Sequence, residues 1–355
     1  MTLDRPQLRA IRRCAVSAAL AAVAACPAAL SAQWSMAGVP TTAEFRGLSL
    51  ADRRTLWASG MHGTVARSVD GGATWTVTTI PGADSLDLRS IVALGPDVAV
   101  AASAGPAERG QARIYRTEDA GAHWRQVFTT DERGVFLDAL AFWDRAHGIA
   151  MSDPVNGRLV LLTTDDGGRS WQAVPADALP PALPNEGGFA ASNSSIALWG
   201  SDDAWIGTGG AARARVYRST DRGRSWQVSD TPVHAGTPAS GIFALAFRDA
   251  RHGVAVGGDY TQPHAATTNV AVTDDGGVTW RAARGPLAPA YLSGVAFTGG
   301  RTYVAVGLAG TAVSADDGES WTLVDTLPLD AVRALGGLRA ASGPRGRLGR
   351  WSGGR

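Results

Sequence analysis

The chain has 355 residues, a formal net charge of +1, and only 18% charged against 45% hydrophobic residues. It contains no lysine, so its 33 basic residues are all arginine; Schiff-base lysine chemistry and the phosphate-gripping lysine of a Walker A loop are excluded. No basic excess suggests nucleic acid as a partner, and 44 glycines with 12 tryptophans suit many short strands joined by tight turns.

In chain order, residues 1–32 read as an export signal. Arg9, Arg12 and Arg13 form a basic start, an alanine-rich apolar run of 15–25 follows, and small residues lead to a cleavage point after Ala32. The run is too short to span a bilayer, so no transmembrane segment is expected in the mature chain. Val23-Ala24-Ala25-Cys26 also has the form of a lipoprotein cleavage box, which would leave a lipidated Cys26. The chain is therefore expected in the periplasm or outside the cell. Losing Arg5, Arg9, Arg12, Arg13 and Asp4 takes the net charge from +1 to −2. Both cysteines, Cys14 and Cys26, fall in the leader; cleavage after Ala32 would leave no disulfide, thiolate zinc site or cysteine nucleophile.

Residues 33–39 resemble a lone outer strand. Six repeats follow, each two short apolar strands, a third strand and the pattern Ser/Thr-x-Asp-x-Gly-x-x-Trp. The aspartates are Asp70, Asp119, Asp166, Asp221, Asp275 and Asp316, spaced by 49, 47, 55, 54 and 41 residues. That interval fits the four strands of one β-propeller blade. In the motif, Asp and Ser/Thr side chains bond nearby backbone N–H groups, the glycine supplies positive φ, and the tryptophan opens the next strand. Six copies around a ring cannot share one active site, so these aspartates are read as turn architecture; no metal or cofactor is expected. A seventh, partial copy at 331–351 lacks the motif and the outer strand. An all-β, seven-bladed propeller of four-stranded antiparallel blades is predicted, closed by the N-terminal strand so that no edge is left exposed. The expected blades are 45–86, 87–134, 135–188, 189–236, 237–290, 291–330, and 331–351 with 33–42, followed by a tail at 352–355.

The repeat resembles the bacterial-neuraminidase, or Asp-box, repeat. With Phe45-Arg46-Gly47-Leu48, Trp57-Ala58-Ser59-Gly60, Gly63-Thr64 and Asp70-Gly71-Gly72-x-x-Trp75, the chain over 33–351 resembles the photosystem II stability/assembly factor-like propellers. Photosynthetic members of that family are assembly scaffolds that bind a protein partner through an arginine-rich face. The resemblance thus implies a binding scaffold, and a monomer is expected. Sialidases share the Asp box and use an arginine triad, a Tyr–Glu nucleophile pair and an acid aspartate. Their early Arg-Ile-Pro signature is missing here, and the box predicts fold rather than activity.

Propeller hairpins sort loops by face. One side is short and regular; the other gathers the long loops 105–111, 152–157, 173–193, 231–240 and 259–268, and long loops on a rigid face are where binding usually resides. Arg46, Arg89 and Arg333 occur in similar strings (Phe-Arg-Gly-Leu, Leu-Arg-Ser-Ile, Val-Arg-Ala-Leu) and are predicted to converge at that mouth as a cradle for an anionic ligand or acidic partner. Asp138, Asp153, Glu186, Asp259 and Tyr260 are placed across the opening. A flat, arginine-rich opening would favour a binding scaffold; paired carboxylates about 5 to 10 Å apart would favour the alternative, a sialidase-like glycoside hydrolase. Gly207-Thr-Gly209-Gly210-Ala-Ala212 leads into a strand rather than a helix and reads as a turn, while His147-Gly148 and His252-Gly253 occupy matching repeat turns.

Overall fold

The computed structural model describes residues 1–2, 33–286, 288 and 291–353; residues 3–32 of the predicted export signal, Cys26 among them, lie outside the described residues. The unit Ser31–Arg355 is a ring of seven four-stranded antiparallel sheets. The first six blades each run outward in chain order, as in blade one: Phe45–Leu50, Leu56–Gly60, Thr64–Ser68 and Thr76–Thr79. Blade seven takes its inner three strands, Ala331–Leu335, Leu338–Gly343 and Arg347–Trp351, from the C-terminal end. Trp34–Met36 adds the fourth, pairing Trp34 with Trp351 and Met36 with Gly349. Trp34 also packs edge-on against Trp351 at 5.0 Å and donates its indole N–H to Thr311 Oγ1 of blade six at 2.9 Å. The closing strand is thus tied to blade seven and to blade six.

Burial follows from this geometry. Second strands such as Leu56–Gly60 and Ala99–Ala104 are buried along their whole length, because neighbouring blades cover both their faces. Outer strands such as Thr76–Thr79 stay largely exposed. Apolar side chains collect between consecutive blades: Trp57, Val65, Leu88 and Ile91 between one and two, and Val256, Val270, Leu292 and Val295 between five and six. Phe45, Leu56, Ala331 and Leu348 fill the seam between seven and one. Each blade needs its neighbour to bury its faces, so ring closure completes the core.

The six repeat turns have one geometry. In blade one, the Gly72 N–H donates to Ser68 Oγ at 2.9 Å, and the Ser68 hydroxyl donates to Asp70 Oδ1 at 2.8 Å. Asp70 also accepts the Thr74 N–H at 2.9 Å and the Thr74 hydroxyl at 2.6 Å. The arrangement recurs at Asp119, Asp166, Asp221, Asp275 and Asp316. Two successive residues take positive φ, Gly71 at 73° and Gly72 at 84°, so the turn closes only where left-handed backbone is tolerated. Blade two spends an alanine there, Ala120 at φ 62°.

The central channel is interrupted near residues 192–194. The Asn193 amide donates to the Ile91 carbonyl of blade two, and its oxygen accepts the Leu140 N–H of blade three. Ser192 donates to the Ser293 carbonyl beside blade six, and the Ser194 carbonyl accepts the Leu245 N–H of blade five. Arg333 of blade seven donates to Ser194 Oγ and to the carbonyls of Ser192 and Asn193, the last at 2.7 Å. Only a segment lying across the axis reaches five other blades.

Candidate binding site at the loop-rich mouth

A cavity of about 450 Å³ opens at the loop-rich mouth, lined by residues from around the ring, among them Arg46, Arg89, Asp138, Asp153, Phe243, Tyr260, Tyr291 and Asp330. The local cause is a repeated irregularity. The inner strands of blades one, two, three and five each carry a β-bulge near their start, at or beside Arg46, Arg89, Asp138 and Phe243. A bulge re-aims the side chain it carries, here toward the mouth. These four residues each stand four positions before the end of their strand, at Leu50, Ala93, Phe142 and Phe247.

Arg333 breaks that rule, and the expected three-arginine cradle is corrected. It stands two positions before its strand end at Leu335, and its pairing with the next strand is regular, without a bulge. It therefore sits deeper in the channel and lines a separate cavity beside Asn193 and Ser194. There it fastens blade seven to that segment, and burial lowers its pKa to about 10. Arg46 and Arg89 do reach the mouth, but each has its own carboxylate: Glu44 at 2.5 Å and Asp87 at 2.7 Å.

Asp138, Asp153 and Tyr260 line the cup as well. Glu186 and Asp259 do not, and both hold loops instead. Glu186 forms a buried ion pair with Arg215. It also accepts the Thr208 hydroxyl at 2.6 Å and the Leu183 N–H at 2.7 Å. Asp259 accepts the Thr261 N–H at 2.9 Å and hydroxyl at 2.6 Å, fixing the turn that presents Tyr260.

Sequence reasoning missed Asp330 and the aromatic wall. Asp330 immediately precedes Ala331, the residue four before Leu335, so counting back from the hairpin reaches its neighbour and not Asp330 itself. The wall is Phe189 stacked on Phe243 at 3.9 Å, with Tyr291 edge-on to Phe243 at 4.8 Å and the exposed Tyr260 beyond, at 6.2 Å. Phe189 fits because Gly209 bridges both Gly187 and Gly241: a Cβ on Gly209 would come within 2.6 Å of the Gly241 Cα and of the Phe189 ring.

The cup carboxyls are unlike the turn aspartates. Asp138 and Asp330 are 1% and 3% exposed, and the Oδ2 atom of each has no hydrogen-bond partner. Asp153 Oδ1 accepts the Gly188 N–H at 2.9 Å. Glycines make room for these acids: a Cβ on Gly188 would lie 2.6 Å from Asp138 Oδ2, and one on Gly187 2.5 Å from Asp153 Oδ1. Burial raises all three pKa values: Asp153 to about 6, Asp330 to about 7, and Asp138 well above the carboxylate range, with the Asp153 charge adding to its rise. The opening is therefore neither flat nor arginine-rich; it is concave, aromatic and acid-rich.

No protein-family model matches the chain, and no curated protein does. Solved structures do resemble it. One described as YCF48 bound to D1 peptide shares 17% identity over 91% of this chain and 98% of that one, with a TM-score of 0.62. YCF48 from Cyanidioschyzon merolae shares 16% over 90% and 99%, at 0.64. U3-55K shares 12% over 90% and 98%, at 0.63. At such identities the likeness shows a common β-propeller fold, and the site must speak for itself. Among the described residues, no helix is long and apolar enough to cross a membrane.

Proposed function

We propose that this chain is an exported propeller scaffold, of the photosystem II assembly factor-like kind in its architecture, that binds a segment of a protein partner at its loop-rich mouth. The observation that carries this reading is the cup itself. Its volume of about 450 Å³ suits one or two side chains of an inserted peptide, and Tyr260 and Leu308 stand exposed at its rim, at 47% and 37%. A rigid concavity with an aromatic floor and an exposed rim is what a partner's anchor residue needs. YCF48, a propeller of the same fold, has been captured with a D1 peptide, which supports a peptide-binding use of such a scaffold. Export rests on the leader residues of the sequence.

The test is affinity capture from envelope extract by the wild-type chain and by a Phe243→Ala/Tyr260→Ala variant. Wild type should retain a partner that the variant loses at least tenfold, and Tyr260→Ala alone, which removes only an exposed rim side chain, should weaken capture at an unchanged melting temperature. Identical retention by both proteins rejects the mouth as the binding surface.

The acid pattern favours one second reading. Asp138 and Asp153 on blade three and Asp330 beside blade seven are carboxyls of raised pKa around one cavity, the provision a glycoside hydrolase uses for its acid. Turnover of a chromogenic glycoside, abolished by Asp138→Asn, would establish it; no turnover across a broad glycoside panel rejects it.

A further inference from the structure

We infer that the group the cup accepts from its partner is cationic, the guanidinium or ammonium of a basic side chain, held between Asp138 and Asp330 against the Phe243–Tyr291 wall. This deepens the peptide-binding reading and rests on it.

The first ground is unmet hydrogen-bonding capacity. Asp138 and Asp330 line the cup, and the Oδ2 atom of each is buried and accepts nothing. A buried acceptor without a donor costs free energy that a bound donor recovers. Guanidinium and ammonium groups are donors only, and their charge favours the ionised form of a carboxyl they bond.

The second ground is the charge balance of every group facing the cup. Arg46 and Arg89 pair at contact distance with Glu44 and Asp87 and also act on Asp330 and Asp138 from further off, as Arg347 does on Asp330, so the carboxyls outnumber the arginines. That leaves Asp138, Asp153 and Asp330 in excess, with Tyr260 and Tyr291 as the remaining titratable side chains. An anion would have to displace Glu44 or Asp87 and then meet three further carboxyls. A cation meets three acceptors beside an aromatic cluster whose ring faces favour a positive charge.

The third ground is that the acids are built in. Gly187 and Gly188 keep the space Asp153 and Asp138 occupy free of Cβ atoms, and Asp138 is carried on a bulge that aims it at the mouth. In the empty cup, burial raises Asp153 to about 6 and Asp330 to about 7, and pushes Asp138 in the same direction. A bound cation favours their ionised forms, so binding releases protons and tightens as pH rises through the range of Asp153 and Asp330.

A phage-displayed random heptapeptide library, selected on the wild-type chain and counter-selected on Phe243→Ala/Tyr260→Ala, tests this. The expected outcome is enrichment of Arg or Lys at one position, with the two residues read separately. A synthetic copy of a selected peptide should bind at least tenfold more weakly to Asp138→Asn/Asp330→Asn, and more weakly to Asp330→Asn alone. Its affinity for wild type should rise about tenfold from pH 5.5 to 7.5, with proton release in calorimetry. Both variants should melt no lower than wild type at pH 7.5, because each loses an unpartnered acid. Selected peptides that need Phe243 and Tyr260 but carry acidic or neutral anchors overturn the cationic assignment and leave the mouth reading intact. So does an affinity that is flat or falls with pH. Selection of no peptide that depends on Phe243 and Tyr260 overturns both.

Discussion

The aspartates of the repeat turns and those of the cup are one side chain in two opposite settings on one ring. In the turns, Asp70 lies at the surface with both oxygens accepting hydrogen bonds, and the Thr74 hydroxyl and N–H lead in lowering its pKa to about 2. Asp119 reaches the same value, led by the His123 N–H. In the cup, Asp138 and Asp330 are buried, each with an unbonded oxygen, and their pKa values rise. The first set completes a local structure that would otherwise lack acceptors. The second set is a demand the fold leaves open, and open demands in a concave, aromatic setting point to a ligand. Repetition alone does not separate the two; the number of donors each carboxylate meets does.

The largest expected effect sharpens the contrast from the loop side. Glu186 was a candidate for the mouth, yet its side chain is 0% exposed and bonded to Arg215, Thr208 and Leu183. Glu186→Ala should cost about 3 to 5 kcal/mol of stability in denaturant unfolding, because it strands the Arg215 guanidinium in a buried site. A cost below about 1 kcal/mol would place Glu186 with the unsatisfied acids instead. Next comes a turn: Asp166→Ala removes the acceptor of the Ser170 hydroxyl and N–H and should cost about 1 kcal/mol, leaving partner binding unchanged. Weakened binding at an unchanged melting temperature would contradict the structural role.

The two settings also predict opposite slopes of stability with pH. The turn carboxylates have folded pKa values below the unfolded value of about 4, so their contribution is present above pH 4 and is lost as pH falls toward about 2. Asp330 is raised to about 7, so the folded state holds its proton more tightly. Its contribution is present below pH 4 and is lost as pH rises from about 4 to 7. Asp330→Asn should therefore gain on wild type in melting temperature as pH rises across that window. Equal curves at every pH would show that Asp330 is solvated. The smallest effect is at Ala120, whose φ of 62° strains an L-residue. Ala120→Gly should add about 0.5 kcal/mol, the relieved strain less the entropy of glycine. A loss of stability there would mean that the alanine makes contacts worth more than its strain.

The ring was legible because its information is local and repeated. Ser68, Asp70, Gly72 and Trp75 specify a turn within eight residues, and the same string returns five more times. The closing strand was legible from what was missing after Trp351. In the site, Arg46, Arg89, Asp138, Asp153 and Tyr260 could be placed at the mouth from their positions at strand starts and in long loops. Arg333 could not, because its string matches Arg46 while its distance to the hairpin does not, and side-chain direction is set by register. Glu186 and Phe189 depend on contacts across the fold: Arg215 pairs with the first, and the Gly187–Gly209–Gly241 crossing admits the second. Pairings of that kind leave no periodic trace in a single sequence.

The most direct test of the central contrast is a pH titration of the aspartate side-chain carbons by NMR, with the chain labelled at Asp Cγ and signals assigned by Asp→Asn variants. The account predicts that Asp70 and Asp119 titrate near pH 2 while Asp153 and Asp330 titrate near 6 and 7, and Asp138 well above the ordinary carboxylate value. Addition of a selected basic peptide should move the cup signals to lower pH and leave the turn signals in place. Cup aspartates titrating between about 3 and 4 like free side chains, or moving to higher pH with the peptide, would contradict it.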